Sequence, residues 1–357
     1  MSTDCKLVYS DRTTQRLGQT GTEMLIFLKE GYSYNPCYDP SKTMLYEMNT
    51  PVRLNNFSMA VTSDNELYLA GGNYKLKPDK QKLFYQYNHL LKTWEPRCEM
   101  ISPRVRCGLV YLKGYIYAIG GDTTNKTAER YDPSCDEWTS MPPVPHPMHL
   151  EHCVVTLDDS IYVISMEGCY CFSTSENKWN KIDMLNPPQR PKAIVYQGCI
   201  YCMNSGGKTS VKMYNPASGV WEHSGKGMRM PFPCDAVTFM QYEGSLYLLA
   251  AGKLRLRYVV YVYQYQSETD MWLQVGNGDR MFPPITKWLR FARSLDCLMA
   301  RMIPKCLEKS YPPKYMDVPS SDDGESEEEE ESDDATSSNE TWGHIPYDSD
   351  EEEDLSD

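Results

Sequence analysis

The sequence predicts an all-β fold of six repeated units, each of about four short strands. Two observations carry it. The first is an aromatic pair at a fixed seven-residue spacing: Tyr87 and Trp94, Tyr131 and Trp138, Phe172 and Trp179, Tyr214 and Trp221, Tyr265 and Trp272. The second is a glycine pair closing an apolar strand, Gly71-Gly72 and Gly120-Gly121. It is shifted at Gly206-Gly207, reduced to Ala251-Gly252 in the last unit and replaced by Ser165-Met166 in the fourth. The units recur about every 41 to 51 residues, a period that suits four strands and their turns rather than helix pairs.

In chain order, residues 1–23 are polar and without a strong period, and read as a lead-in. Met24 to Leu28, Tyr34 to Tyr38 and Leu45 to Met48 read as strands of a degenerate first unit. In that unit Tyr38-Asp39-Pro40-Ser41 is followed by Tyr46, which takes the tryptophan position. The unit lacks the counterpart of Ser58-Met59-Ala60-Val61, the opening strand of the next one. A short apolar segment over residues 296–303, stopped by Pro304, is read as the strand that supplies it. The alternative is a helix, since Trp288 to Met302 also has compatible spacing. Closing the first unit with the last strand would remove the open edges of the array.

The middle units share a strand before the glycine position: Leu67 to Ala70, Ile116 to Ile119, Ile161 to Ile164, Ile200 to Met203 and Leu246 to Leu249. Two following loops are unusual. Asn73 to Lys82 carries Lys75, Lys77, Lys80 and Lys82, and Lys253-Leu254-Arg255-Leu256-Arg257 is basic and alternating. Phe282 to Ser294 reads as an extra loop or short helix. Where present, the glycines allow positive φ and close backbone approach. Asp-Pro or Asn-Pro with a nearby serine sets a tight turn, and the large rings are placed to bury apolar area between units.

Units of this kind resemble kelch repeats, which form one β-propeller blade each. The resemblance covers roughly residues 24 to 303 and implies a six-bladed kelch β-propeller. More narrowly, the opening MLIFLKEG, the later CYDPSKTMLYEM and the acidic end resemble the C-terminal half of kelch repeat and BTB domain-containing proteins. In that family a BTB domain and a helical linker precede the propeller and bind a cullin. Only 23 residues precede the first blade here, so those regions are expected to be absent. The expected organisation is 1–23 lead-in, 24–303 propeller with its first blade closed by strand 296–303, and 304–357 a disordered acidic tail.

The net charge of -13 averages two different parts. From Asp317 onward there are nineteen Asp and Glu and no Lys or Arg, which leaves about +6 on the rest of the chain. The 13 cysteines fall largely on apolar strands, and the N-terminus has no apolar signal core. No run of about eighteen apolar residues is present to span a membrane. The chain is therefore expected in the cytosol, with the nucleus as a second compartment, and with its thiols as small buried hydrophobes. The sequons at Asn125 and Asn339 are then unused.

Metal, cofactor and catalysis are tested and set aside. Cys199 and Cys202 have CxxC spacing, with His152, Cys153, Cys169 and Cys171 in the unit before. Residues three apart on a strand point to opposite faces, so the two thiols do not converge on one ion. Some kelch propellers resemble a copper radical oxidase, which needs two histidines and a tyrosine cross-linked to cysteine. His146, His149 and His152 instead follow a proline-rich turn, and no paired carboxylates, nucleophile elbow or phosphate loop accompany them. No enzyme, no metal, no cofactor and no nucleic-acid partner are expected.

Binding is assigned to the loops freed from packing, those after the glycine positions and those joining consecutive blades. In kelch substrate receptors of cullin-RING ubiquitin ligases this face grips a peptide from the target protein. The resemblance places Tyr74, Arg104, Arg106, His149, Arg190, Phe232, Arg255 and Arg257 there, a mildly basic set suited to an acidic or phosphorylated segment. In the tail, Trp342 and Ile345 behind acidic residues resemble the motif that binds ubiquitin-like autophagy proteins by strand addition. Ser321, Ser326, Ser332 and Ser349, each followed by an acid, suit an acid-directed kinase. The alternative to a ligase substrate adaptor is a ligase-independent scaffold or cytoskeleton-associated kelch protein.

Overall fold

Each of the five aromatic pairs is a directly opposed pair across the outer two strands of a sheet. Tyr87 faces Trp94, Tyr131 Trp138, Phe172 Trp179, Tyr214 Trp221 and Tyr265 Trp272. Their ring centroids lie 5.1–5.2 Å apart, within the range of favourable tilted contacts. The computed structural model describes residues 21–28, 34–74, 77–124, 126–205, 210–225, 234–254, 257–277 and 297–309. The chain divides into Met1–Met316 and Asp317–Asp357, and the second unit lies outside the described residues.

The fold is a six-bladed β-propeller. Five blades are antiparallel four-stranded sheets whose innermost strands are Ser58–Val61, Gly108–Leu112, Cys153–Leu157, Pro191–Tyr196 and Cys234–Tyr242. The first blade draws on both ends of the described chain. Cys297–Met302 is its innermost strand and pairs antiparallel with Thr22–Phe27, followed outward by Tyr34–Asp39, Met44–Asn49 and the short Glu308–Lys309. The six innermost strands pack side by side in a closed ring, with Cys297–Met302 between Cys234–Tyr242 and Ser58–Val61.

The apolar core is divided into six clusters, one at each blade interface. Strand periodicity explains this, because successive side chains point to opposite faces and each face meets a different neighbour. In Thr22–Phe27, Met24 and Ile26 pack toward the second blade, while Leu25 and Phe27 pack toward the sixth. The same rule corrects the expected place of Tyr46. Leu45 faces Tyr38, whereas Tyr46 faces Cys37 and packs in the opposite interface, so Leu45 holds the tryptophan position of the first blade.

Tryptophans bind blades together by more than area. The indole N–H of Trp94 donates to Asn49 O at 2.8 Å, that of Trp138 to Cys98 O at 3.0 Å and that of Trp179 to Pro142 O at 2.8 Å. Each acceptor lies in the segment leaving the preceding blade or its last strand. The outer turns follow from their first residue. Asp39, Asn88, Asp132 and Asn215 each accept backbone N–H bonds from residues two further on.

Two segments read as basic loops are strands. Lys77–Lys80 pairs with Asn73–Tyr74, which pairs with Leu54–Asn55, making a small three-stranded sheet. Backbone amides that would otherwise lack partners are satisfied in this way. In the sixth blade, Ser245–Leu254 and Arg257–Gln266 pair as far as Leu254 and Arg257, so the described part of the basic run is strand. Residues 278–296, including the expected loop or helix at Phe282 to Ser294, lie outside the described residues.

Trp179→Phe and Trp272→Phe each remove part of a buried indole. Only Trp179 also loses a bonded N–H, since the buried Nε1 of Trp272 has no hydrogen-bond partner among the described residues. Trp179→Phe should therefore lower unfolding stability by about 1 kcal/mol more than Trp272→Phe. Urea melts of the two variants check the difference.

Candidate binding face around Arg106

The loop entering the third blade, Ser102-Pro103-Arg104-Val105-Arg106-Cys107, is held by backbone contacts that demand glycine on the other side. Gly72 N–H donates to Arg104 O at 2.8 Å, and Val105 N–H donates to Gly121 O at 3.0 Å. A Cβ on Gly71 would lie 2.4 Å from Arg104 O, and one on Gly121 2.3 Å from Val105 O. Both glycines have positive φ, +64° and +74°. The glycine pairs of the sequence therefore set how closely the inter-blade loop approaches.

Arg104 was placed among the binding residues by sequence, and the structure corrects that. Its side chain is fully buried, 0% exposed. Nε donates to Glu129 Oε1 at 2.6 Å, Nη1 to Gly120 O at 2.6 Å and Thr127 O at 3.1 Å, and Nη2 to Thr127 Oγ1 at 2.9 Å. Asp122 Oδ1 lies 3.8 Å from Nη1. Glu129 also accepts the N–H of Ile101 at 2.6 Å. Burial pushes the Asp122 carboxyl up, but hydrogen bonds from Thr124 and Thr127, with the Arg104 charge, outweigh it and hold the group below its ordinary value. A buried guanidinium is tolerated only when its donors and its charge are both answered, as they are here. Arg104 fixes the loop and is not presented to a partner.

Arg106, two residues on, has the opposite fate. Its backbone is left-handed, φ +50°, an uncommon conformation for a residue with a long side chain. Asn56 holds the equivalent place before the second blade and is also left-handed, φ +56°. Arg106 N–H donates to Asn56 O at 2.7 Å, and Arg106 Nε donates to Asn56 Oδ1 at 2.6 Å. Its Nη1 meets Glu151 Oε1 at 2.5 Å, with 42% of the side chain still exposed. The chain of bonds continues from Glu151 N–H to His149 Nδ1 at 3.1 Å, and from His149 N–H to Glu167 Oε2 at 3.1 Å. At the other end Asn56 Nδ2 donates to Asn73 Oδ1 at 2.8 Å. One polar line thus crosses the second, third and fourth blades on the loop face.

The remaining predicted residues fall variously. Tyr74 is half-buried in the small sheet, opposite Leu54 and Lys77. His149 is exposed within the polar line, and Arg190 is exposed on the loop entering the fifth blade, its N–H bonded to Asn204 Oδ1 at 2.8 Å. Phe232 and Arg255 lie outside the described residues, as do Trp342, Ile345, Ser321, Ser326, Ser332 and Ser349. Only the backbone of Arg257 is described. Asn56, Glu151 and Glu167 were missed by sequence. Asn56 had a usable signal, standing two residues before its strand just as Arg106 does.

Lys80 Nζ donates to the carbonyls of Gly121 and Asp122, and Lys212 Nζ to those of Leu185 and Asn186. His152 is a structural group, with its ring nitrogens 3.0 Å from His149 O and 3.2 Å from Ile119 O. Burial pushes its pKa down. Cys199 packs toward the sixth blade and Cys202 toward the fourth. Among the described residues, no cluster of three or more His, Cys, Asp or Glu side chains is arranged to hold a metal ion. No helix among them is long and apolar enough to cross a membrane.

Six blades of this register, closed in a ring, make a β-propeller, and the kelch motif matches residues 103–145. The chain is similar to kelch repeat and BTB domain-containing proteins. It is 27% identical over 339 residues to protein 8 of Danio rerio, covering 83% of this chain and 54% of that protein. It is 29% identical over 353 residues to protein 2 of Homo sapiens, covering 84% and 55%. The human protein 6 is 24% identical over 333 residues, covering 88% and 46%. The chain thus spans about half the length of the curated relatives it matches.

Arg104→Met should destabilise the protein by roughly 3–5 kcal/mol, because Glu129 is left buried without its cation. Adding Glu129→Leu should recover a large part of that loss. Denaturant unfolding of the single and double variants checks both statements.

Proposed function

We propose that the chain is a non-catalytic protein-binding module whose loop face, centred on Arg106, captures a segment of a target protein. The observation that carries it is Arg106 itself. A long side chain on a strained left-handed backbone, stretched across three blades yet still exposed, is poorly explained by packing. Strained residues of this kind gather where a surface must be preset for a ligand. The similarity to kelch repeat and BTB domain-containing proteins extends the reading. In it, the propeller is the substrate-recognition part of a cullin-RING ubiquitin ligase adaptor, and contact with a cullin runs through a BTB region. Trp342 and Ile345 supply a second docking site, for ubiquitin-like autophagy proteins, on an acidic segment phosphorylated at Ser321, Ser326, Ser332 and Ser349.

Affinity purification from cytosol tests the two sites separately. Arg106→Gly relieves a left-handed side chain while removing surface bonds, so its unfolding stability should stay within about 1 kcal/mol of the original. It should nevertheless lose the target proteins captured by the loop face. Trp342→Ala with Ile345→Ala should lose only ubiquitin-like autophagy proteins. If both variants keep every partner, this reading fails.

A further inference from the structure

Four cysteines share the apolar cluster between the fourth and fifth blades. Cys169 and Cys202 are buried in it, and Cys153 and Cys171 pack against it. Strand period explains the three from the fourth blade. Cys153 and Cys169 both stand opposite Ile164, one on each flanking strand, and Cys171 lies two residues beyond Cys169. All three side chains therefore face the fifth blade. Cys202 comes from the other side. Its CxxC partner Cys199 turns toward the sixth blade, which leaves Cys202 facing the fourth. Strand Cys153–Leu157 lies against strand Cys199–Asn204, and the thiols of Cys153 and Cys202 hydrogen-bond across the seam.

The two sulfurs differ in what can reach them. Cys202 is buried, whereas Cys153, at the start of its strand and directly after His152, is only partly covered. The bond with Cys153 and burial push the Cys202 thiol well above its ordinary value. The ammonium of Lys212, directly opposite Cys202 on the next strand, acts the other way. The remaining two thiols are less well placed. Ile164 and its strand stand between Cys153 and Cys169, and Cys171 is hydrogen-bonded to Ser160 and Tyr162. Geometry thus pairs Cys153 with Cys202.

We infer that Cys153 and Cys202 are an oxidisable pair, which hydrogen peroxide converts into a disulfide joining the fourth and fifth blades. The Cys153 thiolate attacks one peroxide oxygen, the O–O bond breaks, and the sulfur becomes a sulfenic acid. The other oxygen leaves as hydroxide and takes up a proton to give water. The Cys202 sulfur then attacks the sulfenic sulfur. The S–S bond forms, the S–O bond breaks, and the hydroxyl leaves as water with the Cys202 proton. Two thiols are oxidised, and one peroxide is reduced to two waters. Sulfurs that already point at each other can reach bonding geometry by side-chain rotation, with little movement of the backbone. The link would lie close to the inter-blade loops. Cys153 stands two residues after Glu151 of the polar line, and Cys202 two before Asn204, whose Oδ1 holds Arg190 N–H at 2.8 Å. Lys212 also grips the carbonyls of Leu185 and Asn186 on the loop leaving the fourth blade. Oxidation therefore fixes the spacing of two blades where their loops emerge. The inference does not depend on the loop face being the binding face.

The test is disulfide mapping of the full chain. The native protein is treated with hydrogen peroxide, its remaining thiols are blocked with iodoacetamide, and it is digested without reduction for mass spectrometry. The expected product is a peptide pair joined through Cys153 and Cys202, lighter than its parts by two hydrogens and lost on adding dithiothreitol. In Cys202→Ala, oxidation of Cys153 should stop at the sulfenic acid, which dimedone labels; in the unaltered chain that label should be largely lost. The mapping of the unaltered chain decides the matter even where the variant packs poorly. Absence of the joined peptide, a link from Cys202 to Cys169 or Cys199 in its place, or an equal yield from chain unfolded in urea would overturn the inference.

Discussion

Everything in this fold depends on the antiparallel pairing of Cys297–Met302 with Thr22–Phe27. Six sheets arranged around a common channel each bury both faces against their neighbours, so a missing strand would expose two interfaces at once. With the last strand in place, Ala300 and Met302 join the core between the first and second blades. Cys297 and Met299 pack toward the sixth. The ring has no terminal repeat, unlike an open solenoid, whose end units need polar caps. Its stability is accordingly shared, since each interface is held by its own apolar cluster and each blade belongs to two of them.

Closure also explains why the loop face can be rigid without regular structure of its own. At Gly71-Gly72 and Gly121 the inter-blade loop crosses the end of a second strand at glycine, and those crossings are fixed because the blades cannot shift independently. Arg104 adds a buried hub to one such crossing, tying the loop to Glu129, Gly120 and Thr127 of the next blade. The hub cannot move without exposing a desolvated ion pair, so the residues beyond it inherit its position. Arg106 is therefore presented in a preset orientation. A partner that binds there would not bear the entropy of ordering the loop.

The sequence made the blade architecture legible because its signals are local. A seven-residue aromatic spacing across a tight turn, Asp-Pro or Asn-Pro in two of the five, places the two rings opposite one another, which is the register found in five blades. The first blade escaped the same reading by one residue. Tyr46 is the more tryptophan-like side chain, but strand period two assigns the position to Leu45. The two loop-face arginines escaped for a different reason. Arg104 and Arg106 sit in one short loop with similar neighbours. What separates them is Glu129, 25 residues from Arg104, and Glu151, 45 residues from Arg106. Burial of the first and exposure of the second are set by contacts between chain segments, which no local pattern records.

That division matters for how the face discriminates. An anionic ligand drawn to Arg106 must compete with Glu151, which already holds Nη1, and so gains only the difference between two similar contacts. Arg106 then works mainly as a brace that positions Glu151 and His149, and through His149 the carboxylate of Glu167. The line ends at Glu167, whose carboxylate accepts the His149 N–H and, among the described residues, meets no cation. A central cation that is already paired gains little from a further anion, whereas an unpaired basic patch would respond to total charge alone.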